Sequence, residues 1–138
     1  MNLELWKSRL IDQCPLLLGQ VFLAVELAST EPNALTPPCA FIVPLLEKSD
    51  GGQGTLQNTI HQIAIATVVK NVSDVRGEEA YLELKAIRNS LKKALIRWHP
   101  EAGAGMVKYL GGTLNYFDDS IVSWTDRFEC DFSERYSA

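Results

Sequence analysis

The glycine runs are the residues best suited by type to bind phosphate, but their context does not support that chemistry. The segment 48–55, KSDGGQGT, lacks the Gly-Lys-Ser/Thr ending that places a lysine on a β- or γ-phosphate. The glycines at 103–105 and 111–112 precede predicted strands, whereas a dinucleotide-binding glycine motif must open a helix. We therefore expect no nucleotide cofactor.

The two histidines are the next candidates, because imidazole binds metals and transfers protons. His61 lies at the start of a predicted strand and His99 at the end of a predicted helix. Neither has a second histidine, a cysteine or a carboxylate at the spacing of zinc ligands. We expect no metal site, and we expect His99 to complement the negative end of a helix dipole.

No activated nucleophile or acid–base pair is apparent. Asp118 and Asp119 are adjacent in a loop, and neighbours on extended chain point in opposite directions, so a turn role suits them better. The serines lack the context of a nucleophile elbow. Three widely spaced cysteines are expected to be buried, reduced thiols: Cys14, Cys39 and Cys130. The sequence argues against an enzyme and implies no catalytic residues.

Composition limits the class of protein. The chain has 138 residues, of which 46% are hydrophobic, which is enough for one globular domain over residues 1–138. Its net charge of −4 makes wrapping of duplex nucleic acid improbable, and no sequence-specific nucleic-acid partner is expected. No apolar run approaches the ~20 residues of a membrane span, and charges interrupt the N-terminal segment, unlike a signal peptide.

The first half of the chain combines short elements with a hairpin. Residues 2–13 have helical spacing and stop before Pro15, while 16–28 form either a buried strand or a strand running into a helical turn. A turn-rich link at 31–38 leads to a strand at 39–44, in which Pro44 marks either the end of the strand or an edge position. The alternation at 62–69 then places Ile63, Ile65, Thr67 and Val69 on one face of a strand, and Gln62, Ala64, Ala66 and Val68 on the other.

The glycine-rich tip of this hairpin, residues 49–54, has two interpretations that we weigh equally. It is a solvated loop, or it is an arm that becomes ordered against a neighbouring subunit.

One long helix is predicted in the second half. Ser73 and Asp74 are candidate N-caps, Pro100 and Gly103 stop the helix, and its apolar stripe is Leu84, Ile87, Leu91, Ala94, Leu95 and Trp98. A basic strip beside it, consisting of Lys85, Arg88 and Lys92, is predicted to be a solvated face, with a partner contact as the less favoured alternative.

The last third is predicted to be β-structure. Two short strands, 106–110 and 113–117, flank Gly111-Gly112, and residues 118–120 form a turn. From Ile121 about twelve residues alternate, with a predicted length of roughly 40 Å. So long an edge invites pairing with another chain. The fold class is therefore α+β, a mixed and mostly antiparallel sheet with about two helices on one face.

Asp126 interrupts the apolar face of the last strand, between Trp124 and Phe128. An unpaired buried carboxylate costs several kcal/mol, so it needs donors. We favour an Arg or backbone N–H groups of the same chain over a salt bridge between subunits.

The C-terminal third resembles the phage tail terminator family. The resemblance rests on an aromatic residue and a Gly-Gly pair, an aromatic-Asp turn and a Trp-x-Asp-x-Phe motif, here Tyr109, Gly111, Gly112, Leu114, Phe117, Asp118, Trp124, Asp126 and Phe128. Similarity extends upstream through the strand at 40–44 and the block 69–100.

That resemblance implies a structural protein of the virion tail, made in the bacterial host cytoplasm. Its subunits form hexameric rings that dock on the last ring of the tail tube, stop its polymerisation and offer a surface to the head–tail connector or stopper protein. DNA passes through the ring lumen, and the family supplies no catalytic residues or cofactors. The alternatives are another phage neck protein, such as a stopper or connector, and, less favoured, a small cytosolic enzyme.

Overall fold

The computed structural model describes residues 1–27, 36–71 and 78–136. Its five strands are Val21–Leu23 (β1), Cys39–Ser49 (β2), Leu56–Lys70 (β3), Lys108–Phe117 (β4) and Ile121–Arg135 (β5). They form one sheet in the order β1-β2-β3-β5-β4. The β1–β2 pair is parallel and the other three pairs are antiparallel, which confirms the predicted mixed sheet.

The helices of the described residues are Leu3–Gln13 (α1), Ala24–Leu27 (α2) and Glu78–Leu95 (α3). The side chain of Asn2 caps α1 by accepting a hydrogen bond from the N–H of Glu4 at 3.0 Å. The short α2 directly follows β1, so the described part of the predicted segment 16–28, which ends at Leu27, contains a strand that runs into a helical turn. None of the helices in these ranges combines the length and apolarity needed to cross a bilayer.

The core lies between one face of the sheet and the two longer helices. Trp6 and Leu10 of α1 and the apolar stripe of α3 bury against it, and the sheet contributes Ile42, Ile63, Ile65, Val69, Val122 and Phe128. The predicted alternation of β3 is confirmed, and the face that carries residues 63, 65, 67 and 69 is the buried one. We call the face of the sheet that packs against α1 and α3 the helix face, and the opposite face the open face.

The long helix ends earlier than predicted. It stops at Leu95, and Arg97 has a positive φ of 70° that reverses the chain. The N–H of Arg97 donates to Val107, and the N–H of Val107 donates to the carbonyl of Trp98, so this stretch pairs with the strand region instead of continuing the helix. The predicted N-caps Ser73 and Asp74 lie outside the described residues, as do residues 31–33 of the predicted link.

The two short strands predicted around Gly111-Gly112 are one continuous strand, β4. Register shifts lie between Tyr109 and Gly111 and between Leu114 and Tyr116. Gly111 has a φ of 126°, so it absorbs an extra residue as a bulge where other residues would break the strand.

The other strands are longer than predicted. β2 passes through Pro44 to Ser49 with a register shift between Pro44 and Leu46, and β3 and β5 each contain 15 residues. Pro44 is tolerated because β1 pairs only with residues 40–42, which leaves Pro44 on an open edge. The ends of these three strands form a distal arm, residues 44–62 and 129–136.

The tip of the arm is exposed and organised by its own hydrogen bonds. The N–H of Gly52 donates to Asp50 Oδ1 at 2.7 Å, and Gln53 and Leu56 form an isolated bridge. Whether the tip contacts a neighbouring subunit stays a prediction.

Two phenylalanines on adjacent strands test where the core ends. Phe128 on β5 is 0% exposed and Phe117 on β4 is 47% exposed. We expect Phe128→Ala to lower the free energy of unfolding by ~3–5 kcal/mol, because it leaves a cavity. Phe117→Ala is the matched control and should cost less than about 1 kcal/mol. Denaturant titration measures both, and equal losses would contradict the placement of the core.

Candidate assembly surface

The titratable groups considered for chemistry are dispersed. Within the described ranges, no three His, Cys, Asp or Glu side chains cluster as metal ligands. His61 lies 3.9 Å from Glu47 and edge-on to the Phe132 ring, and burial lowers the pKa of its imidazole. His99 follows the end of α3 by four residues, and its Nδ1 lies 3.1 Å from the carbonyl of Ala104. Its predicted role at the helix terminus is wrong.

The cysteines are buried and free, as predicted. Burial raises the pKa of Cys39 and of Cys130 to about 11, and it also raises the pKa of Cys14. These thiols are therefore protonated at neutral pH and are poor nucleophiles.

Asp118 forms the predicted turn. Its Oδ1 accepts hydrogen bonds from the N–H groups of Ile121 and Ser120, at 2.8 and 2.7 Å, which lower the pKa of its carboxyl. Tyr116 donates to its other oxygen. With its acceptor sites occupied in this way, the carboxylate closes the β4–β5 hairpin.

A buried polar network surrounds Asp126, which is 0% exposed. Arg88 of α3 donates to both carboxylate oxygens, Nε at 2.9 Å and a terminal nitrogen at 2.8 Å, and Tyr109 donates its hydroxyl at 2.7 Å. The hydrogen bond to Asp126 raises the pKa of Arg88, and burial, followed by Asp126, raises the pKa of Tyr109. The favoured prediction, an Arg of the same chain, is confirmed.

Aromatic rings hold the cations of this network in place. The Arg88 guanidinium stacks 4.2 Å from the centroid of the Trp124 ring, and the Lys92 ammonium lies 4.5 Å from that of Tyr109. The predicted basic strip is therefore a solvated face only at Lys85, since Arg88 and Lys92 turn towards the sheet.

The Gly-Gly pair lies against the same network. A Cβ at Gly112 would overlap the Asp126 carboxylate and the Trp124 indole nitrogen. A glycine is thus required where β4 passes over the ion pair. The Tyr-x-Gly-Gly and Trp-x-Asp residues therefore form one physical unit that fixes β4 and β5 to α3.

An apolar groove lies beyond this network, between the start of α3 and the end of β4. It has a volume of about 560 Å³ and is lined mainly by Tyr81, Leu82, Leu114, Phe117 and Trp124. Its outer residues are exposed, as in Tyr81 (55%) and Leu114 (50%). Exposed apolar surface of this kind is typical of a contact with another protein.

The groove adjoins an unpaired strand edge. β4 is the last strand of the sheet, so its outer N–H and C=O groups pair with no described strand. At the opposite edge, β2 is likewise unpaired beyond Ile42 in the described chain, since β1 covers only residues 40–42. The periodicity of α3 did not reveal the groove, because Tyr81 and Leu82 lie off its apolar stripe, and the strand order was not contained in the sequence.

The buried ion pair yields a test of its structural role. Arg88→Ala should lower the free energy of unfolding by ~3–5 kcal/mol, because it leaves the Asp126 carboxylate buried without its counter-charge. The double substitution Arg88→Met with Asp126→Leu should recover most of that loss. Chemical denaturation of the two variants measures this, and an Arg88→Ala loss below about 1 kcal/mol would show that Asp126 does not depend on Arg88.

Comparison with known proteins agrees with this architecture. A native gene transfer agent virion contains a chain of similar fold, with a TM-score of 0.62 and 12% identity, over 93% of this chain and 94% of that one. A search of curated proteins found no match. The family model described as phage tail terminator protein matches residues 1–138. Because this match covers the whole sequence, the chain belongs to the phage tail terminator family, whose members are structural proteins of the virion tail.

Proposed function

We propose that this protein forms a ring of six copies at the head-proximal end of the tail tube. There it stops polymerisation of the tube and provides the surface to which the head is joined. Its partners are other copies of itself, the tail tube protein and a head–tail connector or stopper protein, and DNA passes through the ring lumen without sequence-specific contacts. The observation that carries this proposal is the family match over residues 1–138.

The geometry supports a role in assembly in preference to catalysis. The buried carboxylate of Asp126 is hydrogen-bonded to Arg88 and Tyr109, so it is occupied in holding the fold together. The apolar groove and the open strand edges suit contacts between proteins. We therefore propose that residues 1–138 act as one structural domain, with no catalytic residues, cofactor or metal.

Deletion of the gene from the phage or prophage that carries it tests the function. We expect tails that are longer than normal, variable in length and not joined to heads, because nothing then caps the growing tube. Electron microscopy of the lysate measures tail length and the fraction of tails attached to heads. Tails of normal, uniform length that still join heads would contradict the proposal.

Complementation separates this role from that of another neck protein. Wild-type protein and the exposed-surface control Asp12→Asn should both restore tail length, since Asp12 lies on the outside of α1. Purified protein should also bind one end of isolated tubes in negative-stain images. Binding to the head portal and not to tubes would identify a stopper instead.

A further inference from the structure

We infer that the outer edge of β4 in one copy pairs with the open edge of β2, residues 43–49, in the next copy, so that the sheet continues from subunit to subunit. This inference rests on the proposed ring, and it names the two surfaces that would close it. No described strand covers either edge. Each therefore presents backbone N–H and C=O groups that need partners, which is how sheets are extended between chains.

The strand directions fit a ring. Three successive antiparallel pairs separate β2 from β4, so these two strands run in opposite directions. Rotation of a copy about an axis roughly along the strands preserves direction, so β4 of one copy would meet β2 of the next as an antiparallel pair. The two edges differ, and a contact between unlike surfaces of identical subunits closes into a ring when the rotation permits it.

The position of β1 sets the register. Because β1 blocks β2 at residues 40–42, the incoming β4 must be displaced towards the distal arm. A displacement of about six residues clears β1, and an even number keeps the helix faces of both copies on the same side. At about 3.3 Å per residue this displacement is roughly 20 Å. From β2 of one copy to β2 of the next there are four strand spacings of ~4.8 Å, and strands tilted about 45° shift by a similar distance across them.

This register places apolar side chains together. Within one copy, Tyr116 of β4 pairs with Ser123 of β5. Six residues further along β5, Glu129 pairs with Gln62 of β3, which in turn pairs with Leu46 of β2. A displacement of six residues therefore places Tyr116 of one copy opposite Leu46 of the next. The same displacement brings Phe117 beside Pro44. Tyr116 and Leu46 are 52% and 50% exposed, so their contact would remove from water two of the larger exposed apolar side chains of the molecule.

Opposite charges meet at one point of the same contact. The distal arm carries five carboxylates and two cations, the carboxylates being Glu47, Asp50, Glu129, Asp131 and Glu134 and the cations Lys48 and Arg135. Around β4 the cations are Lys85, Lys92, Lys108 and Arg127, and carboxylates also lie there, at Glu78, which lines the groove, and at Asp118 and Asp119. In the inferred register Glu47 of one copy lies on the helix face beside Leu114 of the next copy, and Leu114 lines the groove. Lys85 lies one helical turn beyond the groove residues Tyr81 and Leu82.

Disulfide trapping tests the surfaces directly. Leu46→Cys and Tyr116→Cys are made in separate chains, mixed and oxidised gently. We expect a covalent dimer only in the mixture, because opposed residues of paired strands have Cβ atoms about 5 Å apart. The native thiols are at most 2% exposed and should not react. Ile11→Cys, exposed on α1, replaces Leu46→Cys as the matched control and should give no dimer.

The outcomes separate this inference from the proposed function. If sedimentation velocity shows oligomers but the disulfide between Leu46→Cys and Tyr116→Cys does not form, the inferred surfaces are wrong. They are also wrong if the Ile11→Cys control forms the disulfide equally well. In both cases the proposed ring still stands. A protein that stays monomeric at every concentration and forms no link overturns the inference and removes its basis in self-assembly. Tail-length phenotypes are independent of either result.

A charge exchange provides the second test. Lys85→Glu and Glu47→Lys should each weaken self-association by about tenfold, and the chain with both substitutions should return to within about threefold of wild type. Asp12→Lys on α1 is the control and should have no effect. Single variants that associate normally overturn the inference, as do variants that lose only their binding to tail tubes, since the edge would then serve the tube protein.

Discussion

The structure depends on neutralising one carboxylate. Asp126 lies in the middle of the sheet, without exposure to water, and its burial is tolerated because Arg88 donates to both of its oxygens and Tyr109 donates to one. That requirement fixes α3, which carries Arg88, over β5 and β4. It also fixes Gly112, because any side chain there would enter the space of the ion pair. The bulge at Gly111 then allows β4 to continue as a single strand.

Apolar packing supplies most of the stability of this arrangement, and the ion pair gives it direction. Leu84, Ile87 and Leu91 would pack on many sheet faces, since burial of aliphatic side chains is not directional. A bidentate arginine–carboxylate pair has a fixed geometry, and it constrains both the rotation and the translation of α3 along the sheet. Trp124, which stacks on the Arg88 guanidinium, also lines the groove at the start of α3.

The features outside this fixed centre are those that suit a tail protein. One edge of the sheet is the ten-residue strand β4, which has no described strand on its outer side, and the other is β2, of which β1 covers only residues 40–42. A monomeric protein normally protects such edges with charges, short strands or a covering helix. Here the β4 edge bears exposed Leu114, Tyr116 and Phe117, and the β2 edge bears exposed Leu45 and Leu46 beside Pro44, Glu47 and Lys48. These exposed apolar side chains are consistent with a subunit whose sheet is completed by assembly.

The sequence by itself determined the class of fold, the alternation of β3, the stripe of α3, the turn at Asp118 and the need of Asp126 for a donor. Each follows from local sequence patterns or from the cost of a single buried charge. It did not determine the end of α3, where Val107 competes for the backbone of residues 97 and 98, or the continuity of β4 through Gly111. It also left open which arginine meets Asp126. Tertiary structure decided these points, together with the strand order, the groove and the two open edges, since each depends on contacts between residues distant in sequence. The free energy of such a contact is gained only when folding brings the two residues together.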